Sequence, residues 1–184
     1  MIYRAHFACV AIITCVAILF EALVVTPASE AAVSCPHHWT SNKYGEDTRV
    51  QMLTDNNKGV IIYNGGGTVR TGKWVDEYTG AEYTDARDIQ IDHILPHSFI
   101  ANMLGNCRVK FQDYANDKHN LAIIASDLNR DKSNLVGMQL NKWAYEHNIA
   151  SNVLERIQRE QCGFCKYIAK RENLSNNPCA TVCL

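Results

Sequence analysis

The sequence predicts one α+β domain between an N-terminal leader and a cysteine-rich tail. Short apolar runs bounded by glycine, proline or asparagine are typical of β-strands, and they occur between residues 60 and 124. Apolar residues at helical spacing follow from residue 140 to residue 161. Four of the eight cysteines fall in the last 23 residues. We therefore expect a small mixed core with flanking helices and a C-terminal tail held by disulfides.

The first 31 residues are typical of a secretory signal peptide. Arg4 precedes the mostly apolar run Phe7–Phe20, which has the length of a signal core and is short for a membrane span. An uncleaved anchor is the alternative, but Glu21 would then lie inside the bilayer. Cleavage after Ala28, Ala31 or Ala32 remains open. We predict a secreted, extracellular chain of residues 32–184 without stable membrane association.

The charge balance after removal of the leader argues against a protein that coats nucleic acid through electrostatics alone. The whole chain has 18 basic and 19 acidic residues, of which residues 1–31 contain one and two. The remaining 153 residues therefore have 17 charges of each sign, a length that suits a single domain. A coat protein needs a large phosphate-neutralising surface. Neutrality remains compatible with an enzyme that meets phosphate through a metal ion.

Six cysteines remain after the leader is removed, an even number that is typical of three disulfides in a secreted chain. Fifteen pairings are open, and the distribution of the cysteines suggests one bridge between Cys35 and Cys107. Cys162 and Cys165 have the spacing of a zinc or redox motif. Disulfides are the better interpretation because Cys179 and Cys183 follow closely.

The first half of the domain is predicted to contain a helix and several short strands. Val50 and Leu53 give residues 46–54 one buried helical face. An apolar strand is expected at 60–63, closed by a glycine-rich turn. Residues 71–74 and 78–80 are interpreted as further strand pieces.

The second half is predicted to run strand, long loop, strand, helix. Residues 88–95 alternate as a strand until Pro96 ends it, and a second buried strand covers 121–124. Ser126 or Asp127 is expected to cap the next helix. Two amphipathic helices between residues 140 and 161 are expected to be separated near Asn148.

Asp92 and His93 open a group of residues suited to phosphodiester hydrolysis. A carboxylate is the kind of oxygen ligand that Mg²⁺ prefers, and a neutral imidazole can take a proton from water near neutral pH. Adjacent strand residues point to opposite faces, which makes a shared site difficult. The difficulty eases if both lie at the end of the strand, where Pro96 turns the backbone.

Three further residues complete the group. The amide of Asn120 is expected to orient the imidazole of His93. Asn129 offers a neutral oxygen to a metal, and Lys132, three residues on, shares its side of the predicted helix. Lys132 is expected to meet a phosphate oxygen or the charge that grows in the transition state.

These residues resemble the HNH, or His-Me finger, endonucleases, in particular a secreted branch with the DUF1524 pattern. The resemblance covers about residues 44–160 and is strongest over 88–134. Its motifs here are Asp88-Ile89-Gln90-Ile91-Asp92-His93-Ile94-Leu95-Pro96-His97-Ser98-Phe99, Tyr114-Ala115-Asn116-Asp117, Asn120-Leu121 and Asp127-Leu128-Asn129-Arg130-Asp131-Lys132-Ser133-Asn134, with Gly72-Lys73-Trp74 and Tyr78-Thr79-Gly80 upstream.

The resemblance implies a ββα-metal core and a metal-dependent endonuclease that leaves 5′-phosphate products. His93 corresponds to the general base, Asp92 and Asn129 to metal ligands, and Asn120 to the residue that positions the base. Asparagine at position 129 favours one divalent cation, Mg²⁺ or alternatively Mn²⁺, over a softer metal. The partner is nucleic acid, DNA or RNA. The remaining candidates are Lys132 in catalysis and, as substrate contacts, His97, His119 and Arg130.

Two other classes of protein remain open. One is a nuclease-like secreted effector or toxin that binds a protein partner without catalysis. The other is an extracellular structural module held by disulfides, in which Asp92 and Asn129 would lie far apart.

Overall fold

The computed structural model describes residues 35–36, 38–41, 46–105 and 109–183, and it confirms a mixed α+β fold with small antiparallel sheets. The predicted leader lies outside the described residues. In chain order the elements are α1 (Thr48–Asp55), β1 (Ile62–Tyr63), β2 (Val69–Val75), β3 (Glu82–Asp85), β4 (Ile89–His93), α2 (His97–Leu104), α3 (Val109–Ala115), a short 3₁₀ helix (Lys118–Asn120), β5 (Leu121–Ala125), α4 (Ser126–Lys132), α5 (Gln139–Glu146) and α6 (Ser151–Arg171).

Two small antiparallel sheets organise the described part of the chain. Strands β1, β2 and β3 form one sheet, and β4 pairs with β5 in the other. The β4–β5 register places Asp92 opposite Ala122 and His93 opposite Leu121. Helix α4 begins directly after β5, so the paired strands β4 and β5 and helix α4 lie together at the predicted site, although α2 and α3 separate the two strands in sequence.

Two sequence predictions about irregular segments are wrong. Residues 78–80 form a turn and not a strand, because the carboxylate of Asp76 accepts hydrogen bonds from the backbone of Tyr78 and Thr79. The long loop expected between the two central strands contains α2 and α3. Its buried residues Ile100, Phe111 and Tyr114 belong to a core cluster, so burial of these side chains stabilises both helices.

The other predicted elements are confirmed with shifted boundaries. The first helix occupies Thr48–Asp55, and the expected strand at 60–63 is reduced to Ile62–Tyr63. The helix after β5 begins at Ser126 with Ala125 as its cap residue. The final two helices separate around Asn148, which has a positive φ of 54°.

The β4–β5 pair lies between two parts of the hydrophobic core. Ile89, Ile91 and Ile123 pack on one side with Leu53 and Trp74. On the other side, Ala122 and Ile124 pack with residues of the last helices, namely Leu140, Trp143 and Ile157. Every residue of β5 is buried. The strand pair is therefore held from both faces, which gives the residues at its end a rigid support.

Two disulfides attach the C-terminal tail to α6, as the cysteine distribution predicts. They join Cys162 to Cys183 and Cys165 to Cys179, so the two cysteines of the C-x-x-C motif do not pair with each other. Cys35 is also disulfide-bonded, but Cys107 lies outside the described residues and that pairing stays a prediction. Such bridges indicate a non-cytoplasmic environment. In the part of the chain that the structure describes, no helix is long and apolar enough to span a bilayer.

Candidate active site

A cleft of about 350 Å³ lies where β4, α2 and α4 meet, and five of the eight predicted site residues line it. Asp92 and His93 come from the end of β4, as expected, and both reach this cleft although they occupy opposite faces of the strand. His97 begins α2, while Asn129 and Arg130 are on α4. The tertiary structure therefore brings most of the candidates to one surface.

The imidazole of His93 is held by a backbone carbonyl. Its Nε2 atom lies 2.9 Å from the carbonyl oxygen of Ala115, the last residue of α3. A carbonyl oxygen can only accept, so Nε2 carries the proton in the neutral ring and the lone pair is on Nδ1. The same oxygen would stabilise the cationic ring if Nδ1 took a second proton. Helix α3, which the sequence did not reveal, thus sets the tautomer of the candidate base.

Aromatic rings fix the plane of the same imidazole. The indole of Trp39 stacks on His93 with ring centroids 5.6 Å apart and planes 5° apart. The ring of His97 stacks at 5.5 Å and 20°. Trp39 is placed by Asn116, whose side chain bonds to the backbone of His38 and Thr40. A ring restrained in this way presents its basic nitrogen in one direction.

Asp92 is buried in an ionic cluster beneath the cleft. Only 2% of its surface is exposed. One carboxylate oxygen accepts from Lys132 Nζ at 2.9 Å, and the other accepts from the hydroxyl of Tyr78 at 2.7 Å. Burial, and next the charge of Asp92, raise the pKa of Tyr78 well above 10, so its hydroxyl remains a donor. The cluster therefore fixes the orientation of the Asp92 carboxylate.

The turn that begins at Asp76 positions Tyr78. One oxygen of the buried Asp76 carboxylate accepts from the backbone of Tyr78 and Thr79, each at 2.8 Å. The other accepts from Ala125 at 2.6 Å, at the junction of β5 and α4. Asp76 therefore fastens the turn after β2 to the end of β5, which directs Tyr78 at Asp92.

Asn129 and Lys132 face the same strand, as their helical spacing predicts. Asn129 Nδ2 donates to Gln90 Oε1 at 2.8 Å, while Lys132 donates to Asp92. Gln90 and Asp92 are two residues apart on β4 and share a face. Gln90 takes the amide hydrogen of Asn129 and thereby leaves the Oδ1 atom to serve as an acceptor or ligand.

The contacts of Asn120 correct its expected role. Its Oδ1 accepts from the backbone of Leu95 at 2.7 Å, and its Nδ2 donates to the carbonyl of Leu95 at 2.9 Å. Asn120 is fully buried and bonds to the backbone two residues beyond His93, not to the imidazole. It holds the chain where β4 ends, so it positions His93 through the backbone.

Two other predicted contacts with substrate need correction. Lys132 is fully buried, and Nζ also donates to the carbonyl of His93 at 3.1 Å, so its ammonium cannot meet a phosphate from solvent in this arrangement. The side chain of His119 is 91% exposed, but it bonds to Asp117 and lines a different cavity. Lys132 instead joins α4 to the end of β4.

The donor set of the cleft fits a divalent cation that water and phosphate would help to hold. Both oxygens of the Asp92 carboxylate keep further lone pairs, and Asn129 contributes Oδ1. Mg²⁺ is commonly held by one or two protein oxygens with water and substrate phosphate. Among the described residues, no group of three or more His, Cys, Asp or Glu side chains is placed to hold a metal ion. Asp92 and Asn129 could therefore hold Mg²⁺ or Mn²⁺ together with water and substrate phosphate.

His97 is expected to make stability depend on pH. It is half-buried, and this burial lowers its pKa from 6.5. The unfolded chain then binds more protons, so the contribution of neutral His97 is complete above the unfolded pKa and is lost as pH falls through the folded one. We expect the free energy of unfolding to decline less steeply below about pH 6.5 in His97→Gln than in the wild type. Urea unfolding from about pH 5 to about pH 8 measures this, and equal slopes would contradict it.

Sequence reasoning missed four groups that touch the candidate residues: Trp39, Tyr78 as a partner of Asp92, Gln90 and the carbonyl of Ala115. Gln90 had a usable signal, because strand alternation places it on the face of Asp92. The other three act across long sequence separations, where no local pattern shows the contact, although Tyr78 and Ala115 lie within motifs of the resemblance. Comparisons of this chain with protein-family models, with curated proteins and with solved structures find no match.

Proposed function

We propose that the chain is a secreted, metal-dependent endonuclease of the HNH type whose core is the β4–β5–α4 unit. One observation carries the proposal: in one cleft, an imidazole with a fixed tautomer lies beside a buried carboxylate and a helix asparagine. The order of strand, strand and helix supports it, as does the resemblance of residues 88–134. The disulfides support secretion.

In the proposed reaction, Nδ1 of His93 accepts a proton from a water molecule, whose oxygen attacks phosphorus in line with the 3′ oxygen. The bond from phosphorus to the 3′ oxygen breaks, and that oxygen takes a proton from solvent. Ala115 holds the ring and stabilises the imidazolium that results. Asp92 and Asn129 would hold the cation, and Tyr78 and Lys132 keep Asp92 in position. A bound Mg²⁺ supplies Lewis-acid stabilisation of the phosphate and the leaving oxygen. Arg130 lines the same cleft and is the candidate contact for a neighbouring phosphate.

Removal of the metal tests the proposal. The disulfide-bonded chain is incubated with plasmid DNA, single-stranded DNA and RNA, with Mg²⁺ and with EDTA. We expect internal cleavage of at least one substrate with Mg²⁺ and none with EDTA. Cleavage that EDTA leaves unchanged would overturn the metal-dependent mechanism. Absence of cleavage on every substrate with Mg²⁺ or Mn²⁺, together with tight binding of a protein partner, would favour the non-catalytic effector.

A further inference from the structure

Three arginines form a basic groove in a protein whose net charge is only −1. Arg49, Arg70 and Arg87 line a cavity of about 460 Å³ together with Asp85. Arg49 and Arg87 also line a second cavity of about 270 Å³ with Trp39 and Gln90. We call the surface of Arg49, Arg70 and Arg87 the arginine groove. Asp47 acts electrostatically on Arg49, and Asp88 acts on Arg87, so part of the positive charge of the groove is offset. The exposed Arg70 contributes charge that is offset less directly, because Asp85 forms its ion pair with Arg87.

The arginine groove continues into the candidate active site. Trp39 lines the second cavity and stacks on His93. Gln90 lines the same cavity and bonds to Asn129 in the cleft. Strand β4 connects the two regions, and four steps from Ile89 to His93 span about 13 Å. A chain molecule lying along the groove would therefore reach the cleft without leaving the surface.

The arginines keep hydrogen-bond donors for a ligand. Arg49 uses two of five N–H groups, both on Nη2, for the carbonyls of Ala86 and Ile89. Arg70 is exposed. Arg87 pairs with Asp85 at 2.6 Å, and its hydrogen bonds hold the pKa of that carboxyl at about 2. Because Arg87 must share its guanidinium with Asp85, Arg70 is the group most open to an anion.

We propose that the arginine groove binds the phosphate backbone of a nucleic acid strand and guides it past Trp39 to His93. Arginine forks match phosphate oxygens, and an aromatic ring beside a basic groove is the usual composition of a surface for unpaired strands. The inference rests on the proposed endonuclease function and adds where the substrate lies on one side of the scissile bond. It also explains how a neutral protein binds a polyanion.

The test separates binding from cleavage. Fluorescently labelled single-stranded DNA, single-stranded RNA and duplex DNA are titrated in EDTA with the full disulfide-bonded chain carrying His93→Ala. Arg70→Gln/Arg87→Gln is compared with Arg159→Gln/Lys166→Gln, which removes the same charge from two exposed residues of α6 outside the groove. Loss of two phosphate contacts predicts roughly tenfold weaker binding of a single strand near 0.1 M salt, and a salt slope smaller by about 1.4. The control pair is expected to change affinity by less than about twofold.

Equal losses of affinity in the two double variants, or unchanged affinity in Arg70→Gln/Arg87→Gln, would overturn the proposal that the groove binds the strand. Melting curves confirm folding, and Arg70→Gln alone provides a second variant without the Asp85 pair. Cleavage of the same substrates with Mg²⁺ by chains that retain His93 distinguishes the two proposals. Arginine-dependent binding without any cleavage would remove the endonuclease and keep the groove. Cleavage together with binding that does not depend on the arginines would keep the endonuclease proposal and remove the groove proposal.

Discussion

Replacement of His93 by alanine is expected to lower kcat for nucleic acid cleavage by about 10²- to 10⁴-fold, the usual contribution of a general base. Alanine removes the nitrogen that accepts the proton from water, whereas Asp92, Asn129 and the arginine groove remain. Substrate affinity should therefore change much less than kcat. Single-turnover cleavage with saturating enzyme and Mg²⁺ measures the chemical step directly.

A second histidine offers a matched control for this experiment. His119 is exposed and lines a different cavity, so His119→Ala should retain cleavage within about twofold, as surface changes away from the site usually do. His93→Gln preserves more side-chain volume between Trp39 and His97 and separates lost chemistry from lost packing. A His93→Ala chain that cleaves at the wild-type rate would remove His93 as the base. An equal loss in His119→Ala would place the reaction elsewhere.

Replacement of Lys132 by methionine is expected to reduce the free energy of unfolding by about 3–5 kcal/mol, the typical cost of breaking a buried ion pair from one side. Methionine fills most of the space but leaves the buried Asp92 carboxylate without its cation. It also removes the donor to the carbonyl of His93. Urea unfolding near neutral pH measures the loss.

The double variant Asp92→Asn/Lys132→Met tests the cause of that loss. Asparagine is neutral and keeps an oxygen for the hydroxyl of Tyr78, so much of the lost stability should return. Lys142→Met is the matched control, because the side chain of Lys142 is 83% exposed in its pair with Glu146; we expect a change below about 0.5 kcal/mol. If Lys132→Met unfolds within about 1 kcal/mol of the wild type, the ion pair is not the constraint on Asp92.

The buried ammonium also bears on metal binding. Lys132 lies 2.9 Å from the carboxylate that the endonuclease proposal assigns to the cation. Two positive charges that share one carboxylate repel each other, which weakens the affinity of the free site for a cation. Phosphate oxygens of the substrate would compensate for this repulsion. The proposed cation would therefore bind together with substrate rather than to the free site.

Local sequence patterns predicted the frame of the candidate site well. Alternation along β4 and the turn at Pro96 placed Asp92 and His93 at a strand end, and both line the cleft. The spacing of Asn129 and Lys132 put both side chains against β4. The clustered cysteines predicted a C-terminal tail held by disulfides, and two such disulfides are present. Each of these features depends on residues only a few positions apart, where backbone geometry alone decides which side chains share a face.

Roles that depend on distant parts of the chain were not visible in the same way. Asn120 was expected to hold an imidazole and instead holds the backbone of Leu95, because the two strand ends bring that peptide to its amide. Lys132 was expected to meet a phosphate oxygen or the charge of the transition state, and its burial follows from the packing of α4 over Asp92. The amino-acid sequence alone does not distinguish an exposed lysine from one that is paired in the protein interior.

By itself, then, the sequence determined the α+β class, the order of the central strands and helix, the stapled tail and the acid, imidazole and amide groups of the candidate site. Only the tertiary structure decided which nitrogen of His93 is basic, what neutralises Asp92 and where the arginines gather. The contacts that set the tautomer of His93 and the surroundings of Asp92 join residues that are 14, 22 and 40 positions apart. Such contacts form only when the whole core packs, so no local pattern can specify them.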